Sequence, residues 1–143
     1  MIVLDTNVVS EALRRDPAQS VVGWMRAQDP AGLFTTAICE AEILYGLAIM
    51  PDGRRRAALQ AAARAIFETD FSGRILPFDS DSAKSYIDIV ATRRRAGRPI
   101  GQAGAQIAAI ARANGATLAT RNVNDFTDCG VGLINPWTPA PLP

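Results

Sequence analysis

MIVLDTN, residues 1–7, runs three apolar side chains, Ile2, Val3 and Leu4, straight into a carboxylate, Asp5. An unbroken apolar run of this length suits a strand covered on both faces. Similar short apolar or β-branched runs stand at 33–35, 74–78, 116–119 and 132–134. Helical patterns fill the gaps, at 8–13, 21–27, 37–49, 54–67, 79–95 and 103–113. Pro51 and Gly53 end the third, Gly97 and Pro99 the fifth, and Asn114-Gly115 the last. In 79–95, Ala83, Tyr86, Ile87, Val90 and Ala91 form an amphipathic stripe, with Asp79 or Ser80 as the cap. Strands alternating with helices predict an α/β fold: a single α/β/α sandwich with a mainly parallel central sheet of about five strands. One domain spanning 1–143 is expected, with the Pro-rich tail extended from about residue 138.

Bulk composition narrows the chemistry. The net charge of +1 singles out neither a polyanion nor an acidic ligand. Of the basic residues only Lys84 is Lys; the rest are Arg, which suits bidentate contacts to phosphate and carboxylate but also follows from a GC-rich genome. Histidine is absent, which excludes imidazole acid–base or metal chemistry. Cys39 and Cys129 are too few for a disulfide scaffold. No apolar run approaches the roughly 20 residues of a membrane span, and no basic leader precedes the first strand, so a cytoplasmic protein is expected.

In parallel sheets, ligands bind at the carboxyl ends of strands. That rule selects Asp5, Thr6 and Asn7 after the first strand, and Thr120, Arg121 and Asn122 after the fourth, with Asp125 a turn later. Asp5 has two readings: a cap for the helix that follows, or a ligand for a hard cation. In AICEAEILYGL, Glu42 shares a helical face with Ile38, Tyr45, Gly46 and Ile49, where a lone carboxylate costs several kcal/mol unless paired or coordinated. Glu40 competes with it, and periodicity does not choose. Asp125 alone reads equally as a local cap or ion-pair partner. Oxygen donors without soft ligands point to Mg2+ or Mn2+, and acids around such ions suit phosphodiester cleavage. The basic runs are 54–56 and Arg93, Arg94, Arg95 with Arg98; the second is either a solvated helix end offsetting the helix dipole or a rim for an RNA backbone.

Four segments in order, MIVLDTNVVSE (1–11), TAICEAEILYG (36–46), PIGQAGAQIAAIARANGATLATRNVNDF (99–126) and INPW (134–137), resemble the PIN-domain ribonucleases. The resemblance is closest to the VapC toxins of type II toxin–antitoxin systems, in their FitB-like branch. It implies a PIN-like α/β/α sandwich and Mg2+- or Mn2+-dependent RNA hydrolysis. It also implies a homodimer or larger toxin–antitoxin assembly, neutralised by a VapB-like antitoxin through which alone operator DNA is contacted.

Residue by residue, the resemblance makes Asp5 the first metal-binding acid and Asn7 the group that orients it. Glu42 matches the acid of the AE-x-x-x-G pattern, and Thr120 the small hydroxyl beside the acids. Asn122 stands where a fourth acid would fall, with Asp125 three residues on, and Arg121 beside the site is expected to meet RNA phosphate or an antitoxin carboxylate. The third acid would open the helix containing AQIAAIA, and Gly104 stands there instead; no Asp or Glu occurs between Asp88 and Asp125. The expectation is therefore an attenuated or inactive ribonuclease. The alternative is a catalytically silent partner that holds an antitoxin and modulates its DNA binding. Phosphatase and receiver domains also place Asp after a first strand. Asn7 stands where the former need a second Asp, and the paired acids and late Lys of the latter are missing.

Overall fold

The computed structural model describes residues 1–138, so the tail expected to be extended lies outside the described residues save for Thr138. The order is β1 (Ile2–Leu4), α1 (Thr6–Ala12), α2 (Gln19–Arg26), β2 (Leu33–Thr36), α3 (Ala37–Ala48), α4 (Arg54–Ala65), β3 (Ile75–Leu76), α5 (Ser80–Arg95), α6 (Gln102–Ala113), β4 (Thr117–Ala119) and β5 (Leu133–Ile134). One five-stranded sheet runs β3-β2-β1-β4-β5, with every pair parallel. The α/β expectation therefore holds, and all five strand runs form strands.

The chain winds outward from β1 through β2 and β3, then crosses back to place β4 on the other side of β1. Connections leaving in opposite directions from neighbouring strands open a crevice at their carboxyl ends. Register fixes what meets there: Leu4 lies beside Ala119, so the next residues out of the sheet are Asp5 and Thr120.

Side chains alternate across the strands, and so the sheet separates two apolar layers. Val3 and Leu118 face Ile89 of α5 and Ile107, Ala108 and Ala111 of α6. Leu4 and Ala119 face Val8, Val9, Val21, Ile43, Leu47 and Phe67. The alanines of α6 leave no bulk between that helix and the sheet. Fully burying Ile107 or Ile110 contributes roughly 1.5–3 kcal/mol each.

Three details depart from expectation. β3 is only Ile75–Leu76, because it is an edge strand and Pro77 has no N–H to continue the ladder. The buried line of α5 is Ser82, Ile89 and Arg93, whereas Ile87 is 65% exposed. Asp79 caps the helix by accepting from Ser82 N at 2.9 Å, and Phe78 meets Tyr86 edge-on at 5.9 Å. On α3 the buried line is Cys39, Ile43 and Leu47, so the face shared by Glu42, Tyr45, Gly46 and Ile49 points outward. The burial argument for Glu42 therefore fails, although a different observation returns Glu42 to the site.

Candidate active site

Asp5 uses its two carboxylate oxygens differently. Oδ1 accepts from the N–H of Thr6 at 2.8 Å, capping α1, while Oδ2 accepts from the hydroxyl of Thr120 at 2.8 Å. Cap and cluster member are thus one residue, not alternatives. Thr120 Oγ1 also accepts from Asn7 Nδ2 at 3.4 Å and from the N–H of Asn122 at 3.1 Å. Asn7 Oδ1 in turn accepts from the N–H of Arg121 at 3.3 Å. This network ties the first turn of α1 to the loop after β4.

Burial is the main influence on Asp5 and pushes its carboxyl above the ordinary aspartate range. The hydrogen bonds from Thr120 and Thr6 oppose that rise, while the negative charges of Glu42 and Asp125 add to it. A cation beside these carboxylates would offset both effects and favour the ionised form of Asp5.

A cavity of about 760 Å3 opens over these residues. Asp5, Thr6, Asn7, Glu42, Asn122, Asp125 and Arg121 all line it, and so does Gly104 from the first turn of α6. Glu42 is held there by Thr6, whose hydroxyl donates to Oε1 at 2.7 Å. Glu40, its competitor in the sequence, does not line the cavity. A Cβ added at Gly104 would meet Ile100 Cγ1 at 3.7 Å and the Phe126 ring at 3.8 Å, ordinary van der Waals separations. The backbone at this position therefore accepts a Cβ without displacing its neighbours.

The donors match a hard divalent cation in kind, since all are oxygens. In number they fall short: among the described residues, no three His, Cys, Asp or Glu side chains are grouped so as to hold an ion.

The arginine cluster divides. Arg93 lines the cavity but is 5% exposed, and its Nε and Nη1 donate to backbone carbonyls, which leaves little of the guanidinium for the expected contact with an RNA backbone. Arg98 is tied to Thr127 and Asp128, whereas Arg94 and Arg95 are exposed. Arg121 lies at the cavity with its guanidinium 5.0 Å from the centre of the Trp137 ring.

Glu11 and Trp137 are among the cavity residues to which the sequence reading gave no role. Glu11 is buried, accepting from Ala18 N at 2.9 Å with Arg14 at 3.5 Å; its i, i+4 spacing from Asn7 was the available signal. Trp137, the last residue of the INPW segment, reaches the cavity from beyond β5, a placement that the segment's own residues do not encode.

The profile described as PIN domain matches residues 2–129. A protein named VapC ribonuclease Y4jK, from Sinorhizobium fredii, is 44% identical over 140 residues, covering 98% of this chain and all of that one. Toxin FitB of Neisseria gonorrhoeae is 36% identical over 137 residues, 96% of this chain and 99% of that one. A chain in the structure of FitAB bound to a DNA fragment superposes with a TM-score of 0.91 at 36% identity, covering 96% of both chains. With its sheet order, its strand-edge acids and these relatives, the chain belongs to the PIN-domain family, among the VapC and FitB toxins of toxin–antitoxin systems.

Proposed function

We propose that this chain carries the site of a metal-dependent endoribonuclease whose catalysis is attenuated by Gly104. The observation carrying this reading is that Asp5, Glu42 and Asp125 converge on one cavity, onto which position 104 opens without a side chain. Asp5 and Glu42 would hold Mg2+ or Mn2+. Such an ion, when bound, activates water and neutralises phosphate charge. Thr6, Asn7 and Thr120 hold the two carboxylates in place, and Asn122 offers a neutral oxygen beside Asp125. Asp125, exposed at the cavity, is the candidate to accept a proton from the attacking water. Arg121 offers a guanidinium to an RNA phosphate.

An antitoxin of the VapB kind is the expected partner, with operator DNA contacted only through it. The similar FitAB structure contains a DNA fragment, which supports this arrangement. A homodimer is the expected assembly, supported by the exposed apolar face of α3, where Tyr45 is 67% and Ile49 66% exposed. Cytoplasmic residence is the location this reading expects. No helix among the described residues is long and apolar enough to cross a membrane.

The test compares RNA cleavage by this chain and its Gly104→Asp variant, with Mg2+ or Mn2+ and with EDTA. The expected result is metal-dependent cleavage by the variant, faster by about two to four decades. Equal rates would overturn the attenuation. Absence of metal-dependent cleavage in both would favour the second reading, a silent antitoxin-binding partner, which position 104 also supports.

A further inference from the structure

We propose that Arg93 is a positioning residue that sets where Asp125 stands in the cavity; its relevance to RNA cleavage rests on the function proposed above. Arg93 lies in the last turn of α5 and is 5% exposed. Nε donates to the carbonyl of Arg98 at 2.7 Å. Nη1 donates to the carbonyl of Asp125 at 2.9 Å and to that of Thr127 at 2.8 Å. No carboxylate among the described residues forms an ion pair with it.

A buried guanidinium without a counter-charge is costly, and an apolar side chain of similar volume would fill the space without that cost. What the arginine alone supplies is a rigid fork able to hold several carbonyls at once. Here the fork bridges a helix end and the loop that carries Asp125.

The loop's other ties leave the Asp125 carbonyl itself to Arg93. Val123–Phe126 is a single 3-10 turn with no side-chain cap. The N–H of Asp125 reaches Asn122 O at 3.0 Å, and Thr127 Oγ1 reaches Asn124 O at 3.2 Å. Two residues past Phe126, Asp128 sits at φ 61°, a left-handed conformation that aspartate tolerates better than most residues. Arg98 secures this bend by pairing with Asp128 and donating to Thr127 Oγ1 at 3.0 Å. Phe126 anchors the loop in the core through its side chain. Holding the carbonyl of Asp125 itself fixes the peptide from which its side chain departs. A misplacement of about 1 Å at a reacting group costs on the order of 100-fold in rate.

The test is amide hydrogen exchange in the unaltered chain, in Arg93→Lys and in Ile89→Val, a control one turn earlier on the same buried line. Lysine keeps the charge but offers one nitrogen, which does not span the carbonyls. Arg93→Lys is expected to speed exchange at the Asp125 amide at least tenfold, whereas Ile89→Val speeds exchange within α5 and α6 and spares the loop. Unchanged loop exchange in Arg93→Lys, or an equal response to Ile89→Val, overturns the proposal.

A second arm uses the Gly104→Asp background, reading Mn2+ affinity by electron paramagnetic resonance and cleavage kinetics. Arg93→Lys is expected to lower kcat tenfold or more with KM little changed, and to weaken Mn2+ binding. Loss of neither would make Arg93 a purely structural clamp and overturn its role at the site. If the Gly104→Asp parent neither binds Mn2+ nor cuts RNA, the ribonuclease reading falls, while the exchange arm still decides whether Arg93 places Asp125.

Discussion

The hydroxyl of Thr120, at the end of β4, donates to Asp5 Oδ2, at the end of β1, across 2.8 Å and 115 residues of chain. This bond favours the charged form of a carboxylate that burial disfavours. Thr120→Val is therefore expected to push the Asp5 carboxyl further up, as followed by carbon-13 NMR titration. Losing a hydrogen bond to a charged group costs about 1.5–3 kcal/mol. That loss applies at pH values where Asp5 is ionised and shrinks as acid neutralises it. Denaturation at two pH values measures the difference.

Asp5→Asn should change stability in a pH-dependent way. The folded carboxyl of Asp5 is raised above its unfolded value, chiefly by burial. Its favourable contribution is thus present below the unfolded aspartate range and is lost as pH rises through the folded value. Asparagine has no such loss. The variant's advantage in urea unfolding should grow from acid to neutral pH, even as any metal-dependent activity disappears.

Gly104→Ala separates the structural from the chemical consequence of the missing side chain. The position lies in the first turn of α6, and a Cβ there makes ordinary contacts with Ile100 and Phe126. Alanine should stabilise the fold by about 0.5–1 kcal/mol through reduced freedom of the unfolded chain. It should not restore cleavage, because it brings no oxygen. Guanidinium denaturation and the RNA assay together check both outcomes.

Glu42→Gln and Glu40→Gln form a matched pair in the Gly104→Asp background. Only Glu42 lines the cavity, where the Thr6 hydroxyl holds it at 2.7 Å. Glu42→Gln should lower metal-dependent cleavage by on the order of 100-fold, the scale of a lost electrostatic contact at a reacting centre. Glu40→Gln should leave it within a few-fold.

Ile49→Glu probes the outward face of α3. Leu44, Tyr45 and Ile49 are exposed there at 41%, 67% and 66%. A charge on this surface should weaken self-association by tenfold or more, read as mass by light scattering against concentration. Because the site of change is exposed, the melting temperature of the monomer should stay close to that of the parent.

The sequence by itself determined the strand–helix alternation, because each buried strand is a local apolar run and each helix a local period bounded by caps and breakers. It also marked Asp5, Thr120 and Asp125 as residues leaving strand ends, and Gly104 as the position without an acid. The rest depended on pairings distant in the chain. The order β3-β2-β1-β4-β5 decided that the ends of β1 and β4 are neighbours, and with that, that Asp5 meets Thr120. The rotation of α3 chose Glu42 over Glu40 and turned an apparently buried face outward, because an apolar segment does not record which of its sides finds a neighbour. The rotation of α5 did the same for Arg93, drawing one member of a basic run into the protein while Arg94 and Arg95 stayed in solvent. Charge is a property of the residue, but its partner is set by packing. Three carbonyls from elsewhere in the chain, not the run itself, made Arg93 part of the framework around the site.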